Sequence, residues 1–124
     1  MEKNMSLTKM LEVAVKAADS KRAEDIVALD LQGVSMFTDA LLIMDAPSNR
    51  QVLAITQEIV DKMQEAGFTL RQHEGRDNGE WVVLDFGDLT VHVFKEEMRN
   101  FYGLEQLWAA KSQPIDIQEW LIED

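Results

Sequence analysis

Five aspartates lie beside predicted strands and turns, where their carboxylates could in principle gather to bind magnesium for phosphoryl transfer. They are Asp30, Asp39, Asp45, Asp85 and Asp88. A working site of that kind needs several acids that converge near a loop able to bind phosphate. The sequence contains no glycine-rich phosphate loop and no Gly-Ser pair followed by two acids. We therefore predict neither a metal nor another cofactor.

His92 and Asp85 could form a second chemical pair, with the imidazole as general base and the carboxylate as its orienting group. No serine or threonine nucleophile has an evident place beside them, and the chain contains no cysteine. A cross-strand contact on a half-exposed sheet face explains the same two residues without any reaction. We expect no catalytic residue and a protein that is not an enzyme.

The element that must position these side chains is a hairpin, in which two apolar strands are joined by a turn at Gly87-Asp88. A two-residue loop of this kind needs a positive φ at its first central position, which makes Gly87 a structural residue. The register gives one apolar face with the pairs Phe86–Leu89, Leu84–Val91 and Val82–Val93. The other face pairs Asp85 with Thr90, Val83 with His92 and Trp81 with Phe94.

The second face of this hairpin mixes aromatic rings with an acid, an imidazole and a hydroxyl, which is typical of a surface that meets a partner. Trp81 follows a polar turn and begins a strand, so we expect it to be exposed and to anchor a partner. Core packing is the alternative for Trp81 and Tyr102, and it is the favoured interpretation for Trp108.

Arg50 occupies the first turn of a predicted helix, where the helix dipole disfavours a positive charge. The position suggests a specific contact with a partner. A salt bridge to Asp39 or Asp45 within the domain is the simpler explanation.

The remaining elements predict an α/β domain. A helix from about Ser6 to Ser20 precedes two short buried strands, and a second helix begins at the N-cap Ser48. A weaker strand then leads to the hairpin, and a further helix starts at Glu96. This order predicts a single domain with a mixed sheet of about five strands flanked by helices.

Residues 109–124 form a C-terminal extension beyond the domain that we assign to residues 1–108. Within the extension, Asp116 and Glu119 would form the capping pair of a short helix. Trp120 lies on so short an acidic segment that the segment must dock in order to hold structure. Docking on its own domain is favoured over a separate partner site.

The net charge limits the kinds of partner. The chain has 23 Asp and Glu residues against 12 Lys and Arg, a formal net charge of −11. Such a field repels phosphate backbones and suits a basic protein partner, although excess acid also serves simply to keep a small domain soluble. No apolar run approaches the ~20 residues of a membrane span, and no charged-then-apolar leader opens the chain. We expect a soluble, cytoplasmic protein with no membrane contact and no direct nucleic-acid readout.

Three runs of the sequence resemble the signature of the ribosomal silencing factor (iojap-like) family. They are WVVLDFGDLTVHVFKEEMRNFYGLEQLW at 81–108, DIVALDLQGVSMFTDALLIMD at 25–45 and SNRQV at 48–52. The resemblance implies a nucleotidyltransferase-like fold and a translational repressor. Proteins of this family bind the large ribosomal subunit through ribosomal protein L-fourteen and block its joining with the small subunit, which lowers translation under nutrient limitation. A basic ribosomal protein suits the acidic charge of the chain.

The resemblance also implies which residues bind the partner. These are Trp81, Asp85, Asp88, His92, Tyr102 and Arg50, with Gly87 as the structural turn residue. Ala40 and the turn at Ala46-Pro47 depart from the family pattern. The resemblance therefore says less about which residues near the Ala46-Pro47 turn contact the partner. Two alternatives stay open, namely a nucleotidyltransferase-like enzyme and an adaptor in ribosome assembly. The sequence also leaves open whether the free protein is a homodimer.

Overall fold

A six-stranded mixed sheet organises the structure, a computed structural model that describes residues 2–103 and 112–121. The strands are β1 (Glu24–Asp30), β2 (Ala40–Ala46), β3 (Gln72–Glu74), β4 (Trp81–Asp85), β5 (Leu89–Lys95) and β6 (Gln113–Ile115). Their order is β3-β4-β5-β2-β1-β6, and neighbouring strands are antiparallel except for β2 and β5. The helices are α1 (Glu2–Ser20), α2 (Asn49–Glu65) and α3 (Glu96–Tyr102). The predicted α/β class with a mixed sheet is confirmed, with six strands in place of about five.

The sixth strand lies in the C-terminal extension, just before the predicted N-cap Asp116 of the short helix. Gln113–Ile115 pairs antiparallel with β1, and Pro114 is tolerated because β6 forms the edge of the sheet. A single 3-10 turn follows at Gln118–Trp120, and its N-cap is Ile117 rather than the predicted Asp116. The Asp116 carboxylate instead accepts a hydrogen bond from the Gln118 amide at 3.0 Å. Trp120 packs against the main core of the same chain.

The main core lies between one face of the sheet and the helices α1 and α2. The predicted α2 stripe of Val52, Ile55, Ile59 and Met63 is fully buried. Ser48 caps α2 as predicted, since its hydroxyl accepts a hydrogen bond from the Gln51 amide at 3.2 Å. The Gln51 side chain does not complete the capping box and donates instead to the carbonyls of Lys21 and Arg22, which ties α2 to the end of α1. Helix α1 begins at Glu2, earlier than the predicted Ser6.

The β4–β5 hairpin has the predicted register. The Phe86 amide donates to the Leu89 carbonyl at 2.9 Å across a two-residue loop, and the φ of Gly87 is +92°. All six apolar side chains of the predicted inner face are buried in the main core: Val82, Leu84, Phe86, Leu89, Val91 and Val93. The opposite face contributes to a second, smaller cluster, in which Phe94 packs with buried side chains of β1 and β2 and with Met98 of α3.

Candidate functional site

Three rings form a cluster on the outer face of the hairpin. The indole of Trp81 stacks on Phe94 with ring centroids 5.2 Å apart and planes inclined by 20°, and the imidazole of His92 lies parallel to Phe94 at 6.2 Å. The indole Nε1–H of Trp81 donates a hydrogen bond to Nδ1 of His92 at 3.0 Å. The two side chains lie on a diagonal of the ladder, because Val83 is the direct partner of His92. The cluster therefore fixes the orientation of the Trp81 ring.

The prediction of a solvent-facing Trp81 is wrong, since this side chain is half-buried. Phe94 is fully buried and His92 is 8% exposed, so part of the outer face is core. The residues of this face that remain half-buried are Trp81, Val83, Asp85 and Thr90. The reason is that α3 follows β5 immediately and brings Met98 against the same cluster as Phe94 and Trp81.

The His92 imidazole is a neutral acceptor. Burial lowers its pKa to about 4, because a charged ring loses its hydration there. Since Nδ1 accepts the Trp81 bond, the ring proton of the neutral form is on Nε2. The predicted diagonal pairing of His92 with Asp85 is not formed, because the Asp85 carboxylate instead accepts a hydrogen bond from the Gly87 amide at 2.8 Å. The arrangement holds the ring in place and does not prepare Nδ1 to accept a proton from a substrate.

The hairpin turn lies at the opposite end of the sheet from Trp81. Strand β4 runs from Trp81 to Asp85, so these two residues are about 13 Å apart along the strand. At the turn, the carbonyl of Asp88 accepts hydrogen bonds from the amides of Asp39 and Ala40 and from the hydroxyl of Thr38. These bonds join the hairpin turn to the residues that precede β2, and Asp85 and Asp88 lie half-buried beside this junction.

Helices α2 and α3, which contain Arg50 and Tyr102, both begin at the end of the sheet near Trp81. Arg50 is exposed in the first turn of α2, and none of the ion pairs within residues 2–103 and 112–121 includes it. The predicted salt bridge from Arg50 to Asp39 or Asp45 is therefore wrong. Tyr102 is the last residue of α3, and its side chain lies outside the described part of the structure. Trp108 also lies outside the described residues.

The five aspartates first considered as magnesium ligands, all of which the structure describes, do not form one metal site, because no three of them bring carboxylate oxygens within 4.8 Å of one another. Four of them nevertheless share one end of the sheet. Ala40 pairs with Asp30 on one side and with Leu89 on the other. Asp39 and Asp88 directly precede Ala40 and Leu89 in the chain, so Asp30, Asp39 and Asp88 share the turn end of the sheet. Asp85, opposite Thr90, lies there as well. Asp45 lies at the other end, where it pairs with Phe94.

The sequence did not indicate the role of Arg99, which forms a buried ion pair with Asp45 at 2.8 Å. The same guanidinium nitrogen donates to the Asp25 carbonyl at 2.6 Å. Burial raises the pKa of Asp45, and the Arg99 bond and charge oppose that rise. The carboxylates of Glu24 and Glu96 lie near Asp45, with one oxygen from each of the three within 4.8 Å of the others. Arg99 supplies the positive charge beside this group, and an acidic cluster alone does not define a metal site.

None of the helices in the described part of the chain is long and apolar enough to cross a membrane.

A rigid sheet whose outer face presents a half-buried tryptophan, with no convergent set of catalytic side chains among the described residues, has the form of a binding domain. A family model described as "Ribosomal silencing factor during starvation" matches residues 4–124. The chain is 45% identical to the ribosomal silencing factor of Bacillus subtilis over 104 residues. The aligned region covers 84% of this chain and 88% of that protein. The protein therefore belongs to the family of ribosomal silencing factors.

Two further comparisons extend this result. A crystal structure of a protein from Bacillus halodurans is 38% identical and superposes with a TM-score of 0.79, covering 89% of this chain and 99% of that one. The mouse protein called mitochondrial assembly of ribosomal large subunit protein 1 is 26% identical over 105 residues, which cover 82% of this chain and 46% of that protein. The fold and the family relationship thus agree.

Proposed function

We propose that this protein is a non-enzymatic translational repressor that binds the large ribosomal subunit through ribosomal protein L-fourteen. In doing so it sterically blocks joining with the small subunit and lowers translation under nutrient limitation. The observation that carries this proposal is the match of residues 4–124 to the model of ribosomal silencing factors during starvation. The name of the mouse relative supports the large subunit as the target.

The charge of the chain supports a basic protein as the direct partner. A formal net charge of −11 attracts a lysine- and arginine-rich ribosomal protein and repels exposed ribosomal RNA. The partner-binding residues that we propose are Trp81, Asp85, Asp88, His92, Tyr102 and Arg50. Among these, Trp81 is held in one orientation and still reaches solvent, which suits an anchor that loses little entropy on binding. Arg50 is exposed and makes no ion pair with another described residue, so its guanidinium is available to a partner.

The separation of the acidic residues supports a role without catalysis. Phosphoryl transfer would need carboxylates that converge on one metal, whereas no three of the described aspartates at the turn end bring carboxylate oxygens within 4.8 Å of one another. Steric blocking requires only a stable domain and a specific surface, and we propose that it takes place in the cytoplasm, where subunits join.

The decisive experiment is sedimentation of the purified protein through sucrose gradients with separated large and small subunits. We expect it to move with the large subunit alone and to reduce the amount of joined ribosomes when added before the small subunit. Binding should weaken as salt rises, chiefly through a slower association rate, because screening removes long-range attraction between an acidic and a basic surface. Failure to move with the large subunit would reject the proposal, and an affinity that salt leaves unchanged would reject the acidic attraction.

A second candidate function is that of an adaptor in ribosome assembly, which the name of the mouse relative favours. The same gradients separate the two functions when precursor particles are included. An assembly adaptor would bind precursor large subunits and leave mature ones, whereas a silencing factor must bind mature large subunits.

A further inference from the structure

The loop between β1 and β2 exposes two adjacent large apolar side chains that the sequence analysis did not single out. Met36 is 98% exposed and Phe37 is 92% exposed, and Val34 beside them is 42% exposed. Among the residues whose side chains the structure describes, these three are the exposed large hydrophobic ones. Single apolar residues on a surface are ordinary, whereas a contiguous group of exposed apolar side chains is typical of an interaction site. We call residues 34–37 the apolar tip.

Hydrogen bonds within the loop hold the apolar tip in place. The amides of Val34 and Ser35 donate to the Leu31 carbonyl at 2.9 and 3.0 Å. The Ser35 hydroxyl then accepts from the amides of Phe37 and Thr38 at 3.1 and 3.4 Å. The exposure of Met36 and Phe37 is therefore built into a structured turn, and little order has to be gained when a partner covers them.

The loop is also fixed to the hairpin turn. The Leu31 amide donates to the Asp39 carbonyl at 2.8 Å, which closes the loop at its base. The Thr38 hydroxyl and the Asp39 amide both donate to the Asp88 carbonyl, at 3.1 and 2.9 Å. The apolar tip and the hairpin turn thus form one rigid corner of the sheet.

Carboxylates surround this corner. Asp30 and Asp39 stand at the two ends of the loop, and Asp85 and Asp88 flank the turn to which the loop is bonded. The guanidinium of Arg71 also lies here, against Gly87. One oxygen of the Asp39 carboxylate is buried. A phosphate backbone would meet the negative charge of Asp30, Asp85 and Asp88 at this corner, whereas a lysine- or arginine-rich protein surface would meet complementary charge.

We propose that the apolar tip inserts Met36 and Phe37 into an apolar pocket that is bordered by lysine or arginine side chains on the ribosomal protein partner. This inference rests on the proposed function and adds a second anchor to it, at the end of the sheet away from Trp81. Phe37 supplies the large rigid contact, Met36 adapts to the shape of the pocket, and the surrounding carboxylates pair with the basic rim. Both side chains extend into solvent in the free protein, so their burial makes a contact that only the complex has.

The test compares the parent protein with the double variant Met36→Ser/Phe37→Ser in sedimentation with purified large subunits. Because both side chains are exposed, the variant should unfold at the temperature of the parent. Its Kd for the large subunit should rise by roughly tenfold or more, as expected for loss of an interface anchor. Ala66→Ser is the control, since it places serine at an exposed position at the end of α2 away from Arg50 and should leave the Kd unchanged.

A third variant, Asp88→Asn, tests the charge of the rim. It keeps the backbone carbonyl that holds the loop and removes one negative charge, so it should weaken binding and reduce the effect of salt. Tighter binding by this variant would indicate contact with phosphate and would overturn the inference.

The outcomes separate the inference from the proposed function. If the parent binds and the double variant binds equally well, the apolar tip is not an anchor, while the proposed function stands. If the parent itself does not bind, the proposed function fails and the inference fails with it. If the double variant changes the parent from dimer to monomer in sedimentation equilibrium without changing large-subunit binding, the tip binds a second copy of the chain and the inference is overturned.

Discussion

The indole Nε1–H of Trp81 donates a hydrogen bond to Nδ1 of His92 at 3.0 Å, between neighbouring strands of the hairpin. The bond requires Nδ1 of His92 to be unprotonated, because only then does that nitrogen have a lone pair to offer. Burial of the imidazole enforces this state by lowering its pKa to about 4. The orientation of the proposed anchor thus depends on a histidine that stays neutral at physiological pH.

This relationship predicts that His92 makes the fold less stable in mild acid. The pKa is 6.5 in the unfolded chain and about 4 in the folded one, so between these pH values only the unfolded chain takes up the proton. The free energy of unfolding therefore falls as the pH falls, by about 2 kcal/mol from this residue between pH 7 and pH 5. Urea unfolding at the two pH values measures the loss.

The control for this prediction is His92→Asn, whose side-chain oxygen can accept the Trp81 bond and does not titrate. Asp45 and Glu24 have raised pKa values and favour the folded state in acid, but they do so equally in both proteins. The parent should therefore lose about 2 kcal/mol more than the variant on acidification. If both proteins lose the same free energy of unfolding on acidification, the pKa of His92 is near its ordinary value and its imidazole is not shielded from water.

The buried pair of Arg99 and Asp45 predicts a large and pH-dependent loss of stability. Their side chains are 9% and 5% exposed, so Arg99→Met leaves a carboxylate buried without its cation. The expected cost is roughly 3–5 kcal/mol at neutral pH. Burial already raises the pKa of Asp45, and removal of Arg99 raises it further, so the cost should shrink in acid as Asp45 takes up a proton.

Chemical unfolding of the single and double variants measures this coupling. Asp45→Asn/Arg99→Met removes both charges and should be more stable than Arg99→Met alone. If the loss of stability in the double variant equals the sum of the losses in the two single variants, the two residues do not stabilise each other.

The hairpin turn predicts unequal costs at its two central residues. Gly87 has a φ of +92°, and a Cβ atom there would lie 3.0 Å from the guanidinium carbon of Arg71. Gly87→Val should therefore cost roughly 1–3 kcal/mol, whereas Asp88→Ala should stay within about 0.5 kcal/mol because the Asp88 bonds use its carbonyl. Thermal unfolding of both variants decides this, and equal shifts in Tm would contradict the geometry of the turn.

The residues of the hairpin were sufficient to predict its strand register, but not which elements pack against its outer face. The turn chemistry of Gly87 sets the pairing, and alternation then assigns each side chain to a face, so the register from Trp81 to Phe94 was predicted from the sequence. Whether the outer face of the hairpin is exposed to solvent depends on which other elements of the fold pack against it. The partial burial of Trp81 arises from Met98 and from strands far away in the sequence, and no periodicity within the hairpin reports them.

Two other features were out of reach for the same reason. Arg99 and Asp45 are 54 residues apart, and neither position is unusual for an exposed charge when the helix or the strand is considered alone. Met36 and Phe37 lie between the two predicted buried strands, and no apolar periodicity there assigns them to the face of a helix or a strand. Only the hydrogen bonds that order the loop show that the exposure of these two residues is fixed.

Trp81 supplies the last prediction, which separates its structural role from its role as an anchor. Trp81→Phe keeps a ring on Phe94 and removes the donor to His92, so it should cost about 1 kcal/mol of stability. Trp81→Ala also removes the stacked ring and should cost about 2 kcal/mol, less than a fully buried tryptophan because the side chain is half-exposed. Both variants should remain folded at 25 °C, so binding can be measured on the native protein.

Large-subunit binding then decides whether Trp81 contacts the partner. Trp81→Ala should weaken binding by about 2 kcal/mol or more, the size expected for an aromatic hot spot. The matched control is Trp120→Ala, which removes another half-buried tryptophan, packed against the main core between the sheet and the helices α1 and α2. It should lower the Tm by a similar amount and leave binding intact. If both variants lose the same stability and both bind like the parent, the ring of Trp81 serves the fold alone, and the partner-binding face lies elsewhere on the sheet.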